Sequence, residues 1–444
     1  MFKYLPHTHE DIEQMLKTIG VESLEALYSD VPKALKKHHL DLPSSRSELE
    51  IFEHFQALSN EVKPLKTFIG LGAYDHYTPT VIRHLIERQE FLTSYTPYQP
   101  EISQGTLQYI FEYQSMITQL TGMEVANASM YDGATATAEA MFMICAIRKK
   151  NRILVSSTVN PNIINIIQTY ARYKGIDVKL VPTENGHTSL AALEKSMSED
   201  VAGLIVQTPN VYGVVEDYTG FKEVLETHKG MFVINQDPST LAHLKAPADW
   251  GADVAVGEAQ SLGLPLQYGG PYIGYMASKL SYVRKMPGRI CGMTRDAEGK
   301  RAFVLTFQAR EQHIRRDKAN SNICSNQSLL ALFVTIYLAL MGKKGLYEAA
   351  QLSMDGAHYL YNKLLALPYL EPAFTDQPFF KEFTLRTLKP VAQLQAALEA
   401  EGFLGPYNMH DLGLGEGSLI SFAITEKRTP EEMDALVTCL EGLV

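Results

Sequence analysis

Polar and apolar positions change rhythm three times along the chain. From residue 8 to about 65, apolar residues recur at helical spacing behind two start signals: Thr8-x-x-Asp11, and Ser44-Ser45-Arg46-Ser47-Glu48 ahead of IFEHFQAL. Pro32 and Pro43 are the breaks. This predicts a helical N-terminal extension, residues 1–65, with no chemistry of its own and suited to packing on a partner subunit. From about 66 to 280, short β-branched runs alternate with amphipathic stretches. RILVSST, KLVPT, GLIVQT, MFVINQ and ADVAVG predict strands, and NPNIINIIQTYARYKG, SLAALEKSMS and YTGFKEVLETHKG the helices between them. Such alternation implies an α/β fold whose mostly parallel sheet is covered on both faces, with sites on the loops at the carboxyl ends of the strands.

The third rhythm begins at SLLALFVTIYLALMG, Ser328 to Gly342. A bilayer needs about 20 apolar residues, so this run reads as a buried helix. After it come a helix (LYEAAQLSMDGAHYLYNKLLAL), a strand (FKEFTLRT), a helix (VAQLQAALEAEG), a strand (SLISFAIT) and a helix (PEEMDALVTCLEGL), opened by Thr429-Pro430-Glu431-Glu432. The expected division is therefore an extension (1–65), a large α/β domain (66–325) and a smaller α+β C-terminal domain (326–444).

Composition narrows the function classes. A chain of 444 residues with 45% hydrophobic residues can form a core without a disulfide or metal staple. Its 40 Lys+Arg against 50 Asp+Glu give a formal charge of −10, which argues against nucleic acid as the principal partner. The charge is uneven. Lys279 to Lys318 holds 11 Lys+Arg and four Asp+Glu, a net +7 that leaves −17 for the rest. That segment is either a solvated basic face or a docking surface for an acidic partner. Cys145, Cys291, Cys324 and Cys439 form no Cys-x-x-Cys pair, which suggests neither a zinc site nor a disulfide framework. The opening MFKYLPHTHEDIEQML has acids and no apolar h-region, and the expectation is a mature cytoplasmic chain with no membrane span.

Three stretches can carry chemistry. Asp132-Gly133-Ala134-Thr135-Ala136-Thr137 runs into a strong helix former sequence, which makes it either a phosphate cradle or an ordinary capped helix start. Asp237 closes the strand MFVINQD, either as a partner for a protonated heterocyclic nitrogen or as a turn residue before Pro238. Gly257-Glu258-Ala259-Gln260-Ser261-Leu262-Gly263-Leu264-Pro265, then Gln267-Tyr268-Gly269-Gly270-Pro271, form a loop after another strand. Other signals are weaker. His7-Thr8-His9-Glu10 has no second metal-capable cluster and reads as a helix start, and Gly70-Leu71-Gly72 lacks the rest of a dinucleotide fingerprint. Cys324 and His313 could pair as thiol and imidazole, with nothing else in support.

A cradle, a strand-end Asp and a post-strand loop ending in Gly-Gly-Pro, in that order, resemble the pyridoxal-phosphate enzymes of the aspartate-aminotransferase-like fold (PLP-dependent fold type I). Tyr95-Thr96-Pro97-Tyr98-Gln99-Pro100-Glu101-Ile102-Ser103-Gln104-Gly105 and Arg310-Glu311-Gln312-His313-Ile314-Arg315-Arg316-Asp317-Lys318-Ala319, followed by Ser321-Asn322-Ile323-Cys324, narrow the likeness. They resemble the N-terminal half of the glycine-cleavage P-protein family, the decarboxylating glycine dehydrogenases, over nearly the whole chain.

One departure bears on the role. The catalytic half of that family carries a His-Lys pair on the post-strand loop, and its Lys forms the Schiff base with the cofactor. Here the matching positions are Ala259-Gln260, and Gln cannot form an imine. The nearest lysines, Lys245 and Lys279, are off the loop. The resemblance therefore implies the alpha-type subunit of a split P-protein, a required half that is inactive alone. Its lysine-bearing beta partner, subunit 2, would bind pyridoxal phosphate covalently in a heterotetramer of two alpha and two beta chains. The implied complex decarboxylates glycine and passes the aminomethyl group to the lipoyl arm of the H protein. Asp132, Gly133, Thr135 and Asp237 would then be a vestigial or shared cofactor site. Tyr95, Thr96, Tyr98, Arg310, His313 and Arg315 would line the shared substrate pocket or the subunit interface, and no metal is implied. The competing readings are an autonomous pyridoxal-phosphate-dependent amino-acid lyase using an unusual lysine, and a noncatalytic assembly scaffold.

Overall fold

The computed structural model describes residues 4–36, 40–267, 269–319, 321, 323–415 and 417–443, and the chain divides into two units, Met1–Lys63 and Pro64–Val444. In the first unit, α1 (His9–Ile19) starts at a capping box between Thr8 and Asp11 and ends at left-handed Gly20. A second capping box, Ser47 with Glu50, opens α2 (Glu48–Glu61). No residue of either helix is buried, and Phe52 and Phe55 of α2 stay 66% and 62% exposed.

The second unit is organised by helices α3 (Gln104–Thr121), α4 (Gly133–Arg148) and α5 (Pro161–Arg172) around a seven-stranded sheet. The strands in chain order are β1 (Val125–Ala126), β2 (Arg152–Ser156), β3 (Asp177–Val181), β4 (Val201–Thr208), β5 (Met231–Gln236), β6 (Val254–Glu258) and β7 (Gly274–Ser278). Across the sheet the order is β1-β7-β6-β5-β4-β2-β3. Neighbours are parallel except that β7 runs antiparallel to both β1 and β6. β5 is buried along its whole length, which is why it reads as an apolar run rather than an alternation. Successive residues still part by face. Ile153, Val155, Val233 and Val254 pack under α4 and α5 with Ala140, Ile144 and Ile167. Leu154, Phe232 and Ile234 face the opposite layer with Leu193, Phe221 and Leu225. Each of these large side chains gains about 1.5–3 kcal/mol on burial.

The apolar run near 328 lies in a helix, α6 (Ser328–Leu364), that is long and apolar enough by composition to cross a membrane. Non-helical backbone at Gly342 divides it. Before the break, Phe333, Val334 and Tyr337 pack on Tyr113 and Ile117 of α3. Past it, Ala357, Leu360 and Leu364 join a C-terminal core with Phe383, Leu385, Ile420 and Phe422. That core covers a four-stranded antiparallel sheet of β8 (Leu370–Pro372), β9 (Glu382–Thr387), β10 (Tyr407–Asn408) and β11 (Leu419–Ala423), ordered β8-β9-β11-β10. The strand Lys66–Thr67 pairs in parallel with Phe403–Leu404, and Phe68 is buried in the same core. β1 and β10 are two residues long and β8 three, too short to show periodicity. β7, Gly-Tyr-Met-Ala-Ser, has no β-branched residue to mark it.

Candidate functional site

The carboxyl ends of adjacent strands β5 and β6 deliver Asp237 and the segment Glu258–Ser261 to one place, and the start of α4 packs against them. A Cβ on Gly133 would lie 2.6 Å from the backbone N of Glu258, so only glycine lets the helix approach this closely. Asp132 and Thr135 serve each other in a capping box: Thr135 N donates to Asp132 Oδ1 (2.7 Å) and Asp132 N to Thr135 Oγ1 (3.3 Å). The free N–H of Gly133 donates to Glu258 Oε2 (2.9 Å), while Glu258 Oε1 accepts from Gln260 N (3.0 Å) and Ile273 N (3.1 Å). Burial pushes the Glu258 carboxyl up to about 8 against the pull of these donors, and the charge of Asp132 adds to the push.

Gln260 is fully buried. Its Nε2 donates to the carbonyls of Tyr74 (2.8 Å) and Leu264 (2.6 Å), and its Oε1 accepts from Tyr74 N (2.8 Å). Asp237 Oδ1 accepts from Ser239 N (3.0 Å), Ser239 Oγ (2.9 Å) and Ser261 Oγ (2.5 Å). Its Oδ2 forms an ion pair at 2.7 Å with Nζ of Lys381, which is only 2% exposed. Lys381 also donates to Ser239 Oγ (2.7 Å) and His76 Nε2 (2.9 Å), and its ammonium lies 3.7 Å from the centroid of the Tyr74 ring. Because an ammonium only donates, His76 Nε2 must accept, and Nδ1–H points at Glu426 Oε2, 2.6 Å away. Burial, helped by the Lys381 charge, holds the His76 pKa below its ordinary value. Burial alone would raise the Asp237 pKa, but the charge and hydrogen bond of Lys381, with Ser261, bring it below the carboxylate range. Tyr74 completes the layer by donating to Glu382 Oε2 (2.8 Å).

Sequence reading names Asp132, Gly133, Thr135, Asp237 and Gln260, and the structure brings all five together. It misses Lys381, which arrives from just before β9, and gives Glu258 no role. A lysine inside the apolar string Pro-Phe-Phe-Lys-Glu-Phe was the available signal. The two lysines nearest the post-strand loop in sequence are engaged otherwise: Lys245 lies over the Trp250 ring (3.6 Å), and Lys279 pairs with Asp253 (2.7 Å). Tyr268 of the Gly-Gly-Pro loop lies outside the described residues.

Pyridoxal phosphate, the cofactor implied by the resemblance, does not fit these residues. Gln260 has no amine to offer and its amide is bonded at both ends. Asp237 already has a cation, and the Gly133 N–H already has an acceptor. The cavity beside Lys381, lined in part by His76, Ser239 and Tyr337, is about 10 Å³, room for one water at most.

A second group of named residues is open to the surface. Tyr95 is 80% exposed, its hydroxyl 3.5 Å from Ser325 Oγ, and the Thr96 carbonyl accepts from Tyr98 N (2.9 Å). Buried Arg289 donates from Nη2 to Tyr98 Oη (3.2 Å), and its Nε is 3.6 Å from Glu311 Oε2. His313 packs edge-on against Tyr98 (5.5 Å between ring centroids) with Nδ1 3.5 Å from the same Glu311 oxygen. Arg315 turns back to the Ala309 carbonyl (3.1 Å). The side chain of Arg310, and Asn322, lie outside the described residues. Tyr98 and His313, 215 positions apart in sequence, are thus joined by Arg289 and Glu311, neither of which stood out as a site residue. Arg289 also splits the basic segment: it and Lys279 are paired internally, so its surface charge is lower than its composition. The Cys324 sulfur contacts Arg289 and Ser325 (3.9 Å each). A cavity of about 530 Å³, lined by Glu139, Phe142, Tyr170, Lys174 and Arg316 among others, shares no residue with the Asp237 centre. Burial pushes Glu139 there up to about 7. Among the described residues no cluster of His, Cys, Asp or Glu is arranged to hold a metal.

Comparison with known proteins places these features. Residues 2–440 match the family model for the glycine cleavage system P-protein. A relative from Moorella thermoacetica, described as a probable glycine dehydrogenase (decarboxylating) subunit 1, is 47% identical, with 99% of each chain covered. A crystal structure of glycine decarboxylase (P-protein) of the glycine cleavage system in inhibitor-bound form superposes with a TM-score of 0.90 at 42% identity over 100% of both chains. A sphingosine-1-phosphate lyase from Burkholderia pseudomallei shares the fold alone, with a TM-score of 0.65 at 13% identity over 92% of each chain. The fold is the aspartate-aminotransferase-like, PLP-dependent fold type I.

Proposed function

The chain belongs to the glycine cleavage system P-protein family, and from that premise we propose that it is the alpha-type subunit 1 of a heteromeric glycine decarboxylase. In this reading the beta partner, subunit 2, supplies the Schiff-base lysine and covalently bound pyridoxal phosphate. The assembly is a cytoplasmic heterotetramer of two alpha and two beta chains. It decarboxylates glycine and hands the aminomethyl group to the lipoyl arm of the H protein. The observation that carries the reading is Gln260, an amide buried and bonded at both ends where the family's catalytic half has its lysine. Four free cysteines, with the buried thiols of Cys145 and Cys291 pushed up to about 11 and 12, suit a reducing compartment.

The partner's cofactor would supply the electron sink for the pair left when carbon dioxide departs. This chain would contribute enclosure and positioning. The exposed hydroxyl of Tyr95 and the Thr96–Tyr98 turn are free to reach a shared pocket, where they would hydrogen-bond a small amino acid and exclude water. Arg289 would hold Tyr98 in place from beneath, and His313, Arg310 and Arg315 would meet the partner around that pocket. The exposed phenylalanines of α2 would cover partner surface.

Co-expression with the lysine-bearing partner, followed by glycine–bicarbonate exchange, tests the proposal. Exchange is expected from the pair and not from either chain alone. A partner that matched the pair without this chain would leave it a scaffold, and activity of this chain by itself would make it an autonomous lyase.

A further inference from the structure

We propose that Lys381 and Glu258 are built-in occupants of the cofactor position: the Lys381 ammonium stands against Asp237 where a protonated ring nitrogen would, and the Glu258 carboxyl takes the Gly133 N–H that would otherwise hold a phosphate. A pyridoxal-phosphate-like ligand needs two complements of opposite sign, a carboxylate for its ring and N–H donors at a helix start for its phosphate. Both complements are present, and side chains of the same chain satisfy both. Lys381 Nζ lies 2.7 Å from Asp237 Oδ2 and against the face of the Tyr74 ring. The two oxygens of Glu258 accept three backbone N–H groups, from Gly133, Gln260 and Ile273. The acid of Asp132 at the same helix start disfavours any further anion.

Lys381 is not a substitute nucleophile. Its side chain is 2% exposed, with Nζ enclosed by Asp237, Ser239 and His76, and the cavity beside it, about 10 Å³, leaves no room for an aldehyde to reach it. A ligand entering here would have to displace buried, mutually bonded charges, and stripping one member leaves the other uncompensated. Exclusion of the cofactor is therefore distributed over residues 258, 260 and 381. Restoring a lysine at 260 does not by itself reopen the site. The inference rests on the functional reading only for where a cofactor would lie, and not on the glycine reaction.

The full chain is purified as wild type, as Gln260→Lys, and as Gln260→Lys combined with Glu258→Ala and Lys381→Ala, and each is mixed with pyridoxal phosphate. Imine formation, in which the lysine nitrogen replaces the aldehyde oxygen and water leaves, is read from near-visible absorbance and from mass after borohydride reduction. The band is expected in the triple variant and absent from wild type and Gln260→Lys. An equal band in Gln260→Lys overturns the proposal, as does its absence from a triple variant that keeps the wild-type circular dichroism. Should the triple variant not fold, melting of Lys381→Ala, Asp237→Asn and their double variant decides. Each single variant is expected to melt below wild type and the double above either single, whereas additive losses overturn the pairing. These readings use the isolated chain, so they fail separately from glycine exchange in the complex.

Discussion

The Asp237 centre and the Tyr95–His313 surface are both built from named site residues, yet they are finished in opposite ways. At the first, the amide of Gln260, the oxygens of Glu258 and the ammonium of Lys381 find their partners inside the chain. At the second, Tyr95 is 80% exposed with only a 3.5 Å contact from its hydroxyl to Ser325 Oγ, and half-exposed Tyr98 is held from beneath by Arg289, so one side of the group stays open. Sequence motifs that look alike as site candidates are therefore separated by where their hydrogen bonds go. The closed centre serves the stability of this chain. In the proposed assembly, the open surface is where a second chain would have something to add.

The sharpest break of that comparison is Lys381→Met. Leaving Asp237 buried without its cation should cost about 3–5 kcal/mol in urea unfolding, with most of it recovered by adding Asp237→Asn. An undiminished midpoint would show that the closed centre holds nothing together. On the open side, Tyr95→Phe should lower glycine exchange of the reconstituted complex about tenfold, the loss of one hydrogen bond worth ~1.4 kcal/mol, with the melting temperature unchanged. Unchanged turnover would take Tyr95 out of the chemistry.

Smaller is the pH effect of Glu258. Its pKa is raised in the folded chain to about 8 from an ordinary 4.5, so its contribution to stability is fully present below 4.5 and is lost as pH rises through 8. Between pH ~7 and ~8, where His76 is already neutral, Glu258→Gln should flatten the fall in stability with rising pH; the same slope in both proteins would reject the assignment. Least visible in the isolated chain is Phe52→Ser on α2, which should move unfolding by no more than ~0.5 kcal/mol while weakening association with the partner. Equal association in sedimentation would place α2 outside the interface.

Much of this was legible in the chain. Five strands of the large sheet and the three helices between them announced themselves by β-branched runs and amphipathic spacing, and Thr8, Ser47 and Thr429 fixed helix starts through local capping. Gln260 was legible because a missing amine is a property of one residue. β7 was not, since it carries no β-branched residue and its Gly274 is there because a Cβ would collide with the Asp132 carbonyl, a contact invisible to propensity. Lys381 was not, because a charge in an apolar string says only that it is neutralised, never by what.

By itself the sequence determined the α/β alternation, the family and the absence of a lysine on the post-strand loop, all of which reside in local periodicity or in the identity of single residues. Only the tertiary structure decided that Asp237 faces Lys381, 144 positions away, that the helix start at Gly133 meets Glu258, and that Arg289 ties Tyr98 to Glu311. Buried charges and N–H groups must be paired when water is withdrawn, and which partner stands at ion-pair or hydrogen-bond distance is set by how distant segments pack.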